Sequence, residues 1–387
     1  MRRILAMIIA VMMGITTFEG TAFGKESQLN LANEADSAIL IERDTGNILF
    51  EKNSNKELPP ASMTKIMTML LIMEAIEDGD ISLKDKVRTS EYAASMGGSQ
   101  IFLEPGETMT VDEMLRGIAI ASANDASVAM AEFIAGSEEA FVVNMNKKIE
   151  ELGLKNTHFS NPTGLPAENH YSTSHDMAQM AKELLKYPLI TKYTGEYEDY
   201  LRENTDKKFW LVNTNKLVKF YSGVDGLKTG YTKEAKYCLT ATAKKEDMRV
   251  IAVVMGAPTA KSRNQQVTSM FDYAFSQYKT HRLYERNQII NTVDVNKGDK
   301  RKVTVVTAES VSILTKKGES EKEVTTKMKL SESLEAPIQK GQEVGKLVLE
   351  KDGKVLSETA LLSSQDIQQA SWWQLFKRTL AQFAAGN

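Results

Sequence analysis

The spacing of apolar positions changes along the chain, and each change marks an element. Ser37 to Arg43 and Asn47 to Lys52 flank Asp44-Thr45-Gly46, which predicts a β-hairpin with glycine in its turn. Pro59-Pro60-Ala61-Ser62 then opens a long apolar segment from Met63 to Ile76. Met63, Ile66, Met67, Leu70, Leu71 and Met73 leave little polar face, so this helix belongs in the middle of a domain. Ser62 stands at its start and Gly79 follows its end.

Helical spacing runs from Val111 to Gly153, with breaks near Ser122-Ala123-Asn124 and Gly136-Ser137. A loop rich in Asn, Pro and Gly covers 156–172, and Asp176 to Leu185 is helical again. Strands are expected at Val224 to Tyr231, Tyr237 to Ala243 and Arg249 to Met255, followed by a helix from Lys261 to Tyr278. Strands at both ends with helices between predict an α/β (α+β) domain: one sheet, with edges from both ends of the domain, covered by helices.

After Tyr284 the texture becomes that of a small all-β domain. Val303 to Val306, Val324 to Leu330 and Lys346 to Leu349 look like short strands, punctuated by Gly298, Gly318, Gly341 and Gly353. Beyond Thr326 the apolar residues of Val324 to Leu330 recur at every second position, as a half-buried strand requires. The last segment, Ala370 to Ala385, is helical and amphipathic. Trp372, Trp373, Phe376, Leu380 and Phe383 fall within an arc of roughly 100°, the width of one apolar face. Lys377, Arg378, Gln374 and Gln382 lie outside it. Tryptophan and cations in this arrangement suit a helix lying on a membrane surface.

The chain of 387 residues is long enough for a sizeable core and a second module. Its formal net charge of −3 gives no reason to expect a nucleic-acid partner. The single cysteine, Cys238, excludes an intramolecular disulfide and sits in an apolar run as a small core residue. At the N-terminus, Arg2 and Arg3 precede an apolar stretch from Ile4 to Ile15, and Ala22-Phe23-Gly24 offers small residues for cleavage. This is the order of a secretory signal peptide over 1–24. Its apolar core is too short to span a bilayer.

Three short motifs carry the chemistry: Ser62-Met63-Thr64-Lys65, Ser122-Ala123-Asn124 and Lys228-Thr229-Gly230. Each alone is weak; in this order and context they are specific. Residues three apart on a helix share a face, so Lys65 is held against the Ser62 hydroxyl. A serine needs an adjacent base to become a nucleophile. A lysine is a base only when neutral, and burial or a second cation such as Lys228 promotes that state. A lysine and a hydroxyl together on one strand suit a carboxylate ligand. Gly230 removes a side chain where a ligand needs to approach backbone. His158, His170, His175 and His281 lack the H-E-x-x-H arrangement of a zinc peptidase and read as structural or surface residues.

These motifs are similar to those of penicillin-binding proteins and serine β-lactamases. Pro60-Ala-Ser-Met-Thr-Lys-Ile66, Ala121-Ser-Ala-Asn-Asp125, Gly164-Leu165, Asp225-Gly-Leu-Lys-Thr-Gly230 and Ala336-Pro-Ile-Gln-Lys-Gly-Gln-Glu-Val-Gly345 resemble the low-molecular-mass D-alanyl-D-alanine carboxypeptidases, and among them the sporulation-associated type. The resemblance implies a β-lactamase/transpeptidase-like sheet and a reaction without metal or organic cofactor. Its implied substrate is a peptidoglycan stem peptide ending in D-Ala-D-Ala, and its implied inhibitors are β-lactam antibiotics. It makes Ser62 the acylated nucleophile, Lys65 the proton acceptor and Ser122 a proton relay. Asn124 binds the substrate amide and helps hold Lys65. Lys228, Thr229 and Gly230 form the carboxylate site, assisted by Arg263, and the N–H groups of Ser62 and Tyr231 form an oxyanion hole. It also implies attachment to the outer face of the cytoplasmic membrane through the terminal helix. The expected divisions are 1–24 signal peptide, 25–284 peptidase domain, 285–363 β domain and 364–387 anchor helix. An endopeptidase or transpeptidase acting on cross-links would use the same residues. A class A β-lactamase fits less well: Ala123 stands where those enzymes carry aspartate, and Glu168-Asn169-His170-Tyr171-Ser172 does not complete their deacylation loop. A scaffold with a decayed site fits poorly with the motifs intact.

Overall fold

The computed structural model describes residues 29–319, 324–331, 333–351 and 353–384. The signal peptide expected over 1–24 lies outside the described residues. The hairpin forms as expected, from β1 (Ser37–Glu42) and β2 (Ile48–Lys52). It joins β3 (Val224–Thr232), β4 (Lys236–Lys245) and β5 (Met248–Ala257) in one antiparallel sheet of order β2-β1-β5-β4-β3. Its edges do come from both ends of the domain. Every residue of β1 is buried. Ile39 and Ile41 face one apolar core while Ala38 and Leu40 face a second on the other side of the sheet. A strand covered on both faces reads as a near-continuous apolar run, as Ala38 to Ile41 do between the polar ends Ser37 and Glu42.

The first core holds α1 (Lys65–Asp78), surrounded by α2 (Val111–Ala121), α3 (Asn124–Ala135), α4 (Glu138–Glu151) and α5 (Ser174–Leu184). The second is closed by α6 (Ala260–Gln277) lying on β4 and β5. The breaks read at 122–124 and 136–137 are the joints between α2, α3 and α4. One detail differs from the sequence reading. Ser62 does not cap α1; it lies inside a 3-10 turn, Ala61–Thr64, and the α-helix begins at Lys65. Ala61 has a φ of 49°, a left-handed conformation uncommon for a residue with a side chain, so local pattern could not announce this turn.

The β-rich part begins at once after α6. Strand β6 (Tyr278–Tyr284) pairs with β9 (Val311–Lys316) as a two-stranded ribbon. A five-stranded sheet follows, of order β7-β8-β12-β11-β10, from β7 (Ile289–Asp294), β8 (Lys302–Thr307), β10 (Val324–Leu330), β11 (Glu343–Lys351) and β12 (Lys354–Ser363). In β10 beyond Thr326, Met328 and Leu330 are half-buried and their neighbours exposed, as alternation predicts. The chain ends in α7 (Trp372–Ala384). Among the described residues no helix is long and apolar enough to cross a membrane.

Candidate active site

The three motifs meet where the turn before α1, the α2–α3 joint and the edge strand β3 converge. Lys65 is the side chain on which the site is built. It is fully buried, and its Nζ lies 3.3 Å from Ser62 Oγ, 2.6 Å from Asn124 Oδ1 and 2.7 Å from the Thr163 carbonyl oxygen. Burial pushes this amine well below the ordinary lysine range and Lys228 pushes it further; buried Asp125 pulls the other way. A neutral amine has two N–H donors and one lone pair. The two carbonyl oxygens, from Asn124 and Thr163, take the two donors, which leaves the lone pair for the Ser62 hydroxyl.

Ser122 is a buried C-cap of α2 with φ 64°, and its N–H bonds to the Gly117 carbonyl. Non-glycine residues in this region carry strain that surroundings must hold in place. Asn124 opens α3 with both ends of its amide engaged: Oδ1 accepts from Lys65 while Nδ2 donates to the Gly97 carbonyl at 2.6 Å. The second Nδ2 N–H and the second lone pair of Oδ1 remain for a ligand. Asp125 accepts the backbone N–H groups of Ile101 and Leu103, which fastens the loop that flanks Asn124.

Lys228 is buried on β3, and its Nζ donates to the Thr229 carbonyl at 3.1 Å. Burial and the neighbouring Arg263 bring its pKa down to about 7. Arg263, in the first turn of α6, is itself buried, and its guanidinium donates to Asn264 Oδ1. Among the described residues no carboxylate pairs with either cation. Two buried cations without an anion are costly unless a ligand supplies one. Thr229 Oγ1 bonds to Thr214 Oγ1 at 2.8 Å. Tyr231 is exposed, its ring 4.5 Å from that of Tyr237.

The close approach of β3 to the Ser62 turn explains Gly230 differently from the sequence reading. A Cβ there would lie 2.6 Å from the Pro60 carbonyl oxygen and 3.2 Å from the Ala61 Cβ. What this glycine admits is the turn itself. Gly164, at φ 80°, does the same from the 156–172 loop: a Cβ would lie 1.9 Å from the Ala61 oxygen. A cavity of about 450 Å³ opens beside the turn, lined by Ala61, Gly164, Leu165, His170, Thr232 and Glu234 among others.

Thus every residue singled out from the motifs lies in or beside this site. Sequence reasoning missed the Thr163 carbonyl, Gly97 and Thr214, whose contributions are backbone atoms or a lone hydroxyl distant in sequence. The histidines are engaged separately: His170 with Thr64 and Ser160, His158 with the Asn169 carbonyl, His175 with Asp176. No cluster of three or more potential metal ligands occurs among the described residues.

Known proteins carry the same architecture. Residues 24–259 match the family model described as D-alanyl-D-alanine carboxypeptidase, and 278–369 match the C-terminal domain of penicillin-binding protein 5. The D-alanyl-D-alanine carboxypeptidase DacF of Bacillus subtilis is 64% identical over 98% of both chains. The carboxypeptidase DacC of Escherichia coli is 32% identical over 92% of this chain and 90% of the relative. The crystal structure of penicillin binding protein 5 from Haemophilus influenzae superposes with a TM-score of 0.66 at 33% identity, covering 87% of this chain and 98% of that one. With a serine–lysine pair in a buried site and these relatives across nearly its whole length, the chain belongs to the D-alanyl-D-alanine carboxypeptidase family of penicillin-binding serine peptidases.

Proposed function

We propose that this carboxypeptidase works through an acyl-enzyme on Ser62, with Lys65 as the base. The observation that carries the assignment is the Lys65 amine, buried, depressed in pKa and fixed by two carbonyl oxygens with Ser62 Oγ at 3.3 Å. Neutral Lys65 takes the Ser62 proton as Oγ attacks the carbonyl of the penultimate D-alanine. The oxyanion is held by the N–H groups of Ser62 and Tyr231, which the contact at Gly230 brings to neighbouring edges of the turn and strand. Ser122 passes the proton to the departing amine, D-alanine leaves, and water hydrolyses the ester. Asn124 holds Lys65 and offers its free Nδ2 N–H and remaining Oδ1 lone pair to the substrate amide. The terminal carboxylate is the missing anion of Lys228 and Arg263, with Thr229 as hydroxyl donor. In a penicillin the leaving amine stays tethered, so the acyl-enzyme persists.

Ser62→Ala tests the assignment directly. It should release no D-alanine from a stem pentapeptide and form no covalent adduct with fluorescent penicillin. A labelled Ser62→Ala protein would falsify the nucleophile.

The surrounding reading is of a secreted protein: a signal peptide over 1–24, the peptidase domain over 25–284, the β domain over 285–363 and a membrane-surface helix over 364–387, acting outside the cytoplasmic membrane in a sporulation setting. The parts share seams, since β6 pairs with β9 and Ile367 is buried in the β domain's core. Support for the membrane helix comes from Trp372, Trp373, Phe376 and Leu380, all exposed on α7 instead of packed against the β domain.

A further inference from the structure

The 156–172 loop is tied to the Ser62 turn by a chain of hydrogen bonds that takes no part in proton transfer. His170 is buried, and its Nδ1 accepts the backbone N–H of Ser160 at 3.0 Å. A backbone N–H can only donate, so this network assigns the ring proton to Nε2. Nε2–H then faces Thr64 Oγ1 at 2.8 Å, and the Thr64 hydroxyl donates to the Ala61 carbonyl at 2.9 Å. Burial, reinforced by His158, lowers the imidazole pKa to about 4, which keeps the ring neutral. The chain ends on Ala61, the residue with φ 49° immediately before Ser62. The same loop accepts from Thr68 Oγ1 through the Pro162 carbonyl at 2.6 Å and from Lys65 Nζ through the Thr163 carbonyl.

We propose that His170 is a positioning residue for acylation, acting through Thr64 on the Ala61 carbonyl to hold the left-handed turn that aims Ser62 Oγ at Lys65. The inference rests on Ser62 being the acylated residue. A left-handed alanine costs energy and persists only where its surroundings hold it. Gly164 excludes a side chain on one side of the Ala61 oxygen, and Thr64 bonds that oxygen within the turn. Without the hydroxyl the turn relaxes. A small shift of Ser62 from Lys65 then slows bond making without emptying the ligand site, because reaction rate depends steeply on alignment.

A pair of Thr64 variants separates positioning from mere folding. Thr64→Val keeps the shape and removes the hydroxyl; Thr64→Ser keeps the hydroxyl. Acylation by fluorescent penicillin would be followed over a range of concentrations, on protein whose melting shows it folded, to separate the initial dissociation constant from the acylation rate constant. Thr64→Val should slow the rate constant by about ten- to a hundredfold and change the dissociation constant by less than about threefold. Thr64→Ser should stay within about threefold of the parent. His170→Leu should lose as much as Thr64→Val, and the double variant no more than either, since one chain is broken once. Three results overturn the proposal: a Thr64→Val protein with the parental rate constant, an equal loss in Thr64→Ser, or additive losses in the double variant. Ser62→Ala in the same assay tells the two readings apart: covalent labelling there defeats the nucleophile, whereas an unlabelled Ser62→Ala beside a normal Thr64→Val defeats only the role of His170.

Discussion

At the scale of single residues, the proposed mechanism asks opposite states of two lysines. Lys65 must be neutral to accept a proton, and both burial and Lys228 push it that way. Lys228 must be charged to hold a carboxylate, yet burial and Arg263 leave its pKa at about 7. A lysine is a cation only below its pKa, so the signs follow. As pH falls, Lys65 becomes protonated and acylation is lost; as pH rises past about 7, unliganded Lys228 loses its charge and substrate capture weakens. The expected kcat/KM profile for a stem pentapeptide is a bell. Its alkaline limb should move upward in kcat, because a bound carboxylate favours the charged lysine. A substrate amidated at its terminal D-alanine should be turned over more slowly by about tenfold or more, the loss of a charge-assisted contact. It should also lack the alkaline limb. An amide cleaved as fast as the acid, or with the same limb, would remove Lys228 from carboxylate binding.

At the scale of elements, function depends on backbones in contact, and glycine marks the place. At Gly230 the obstructing atom is the Pro60 carbonyl oxygen, which cannot swing aside as a side chain could. Gly230→Ala must therefore push β3 away from the Ser62 turn. We expect a stability loss of about 1–3 kcal/mol, typical of overpacking, together with penicillin acylation slowed by about tenfold or more. Gly79→Ala is the control. Its φ is 82° with nothing within 4 Å of the added Cβ, so it should cost about 1 kcal/mol through backbone strain and leave acylation unchanged. Thermal melting and acylation kinetics on both variants check the contrast; equal acylation in the two would mean that the strand–turn contact does not govern the site. The same contacts show which features were legible. Ser62 and Lys65 are three residues apart, and one helical rule joins them. The breaks between α2, α3 and α4 were visible as interruptions of an apolar period. Thr64 and His170, 106 residues apart, follow no local period. Ribbon β6–β9 was hidden because β6 buries only Thr280 fully, so no alternation separated it from the end of α6.

At the scale of the whole chain, polar contacts fasten the peptidase and β-rich parts. Buried Asp44, at the tip of the β1–β2 hairpin, accepts from Ser312 at 2.7 Å across this seam, and its neighbour Arg43 holds it in place at 2.8 Å; Arg286 reaches the more exposed Glu77 at 2.9 Å. Segment 367–370 belongs to this assembly: Ile367 bridges Ile338, and the Ala370 N–H bonds to the Lys297 carbonyl. The separable piece is therefore the chain after Ser371. On α7, Trp372 stacks on Phe376 at 5.1 Å, and both rings face solvent with Trp373 and Leu380. Arg378 is committed to the Gly298 and Asp299 carbonyls at 2.6 Å. Among the described side chains of α7 that leaves Lys377 as the cation available to lipid headgroups. An apolar ridge with one available cation should bind membranes chiefly by burying its rings, since each basic residue contributes only about 1 kcal/mol at an anionic surface. A chain beginning at Lys25 should sediment with anionic liposomes and still do so at about 0.5 M salt, where exposed charges are screened. A chain ending at Ser371 should stay in solution, melt at a similar temperature and release D-alanine from soluble peptides at the parental rate. Retention of the shortened chain on liposomes, or complete release of the longer one by salt, would contradict anchoring by the aromatic face of α7.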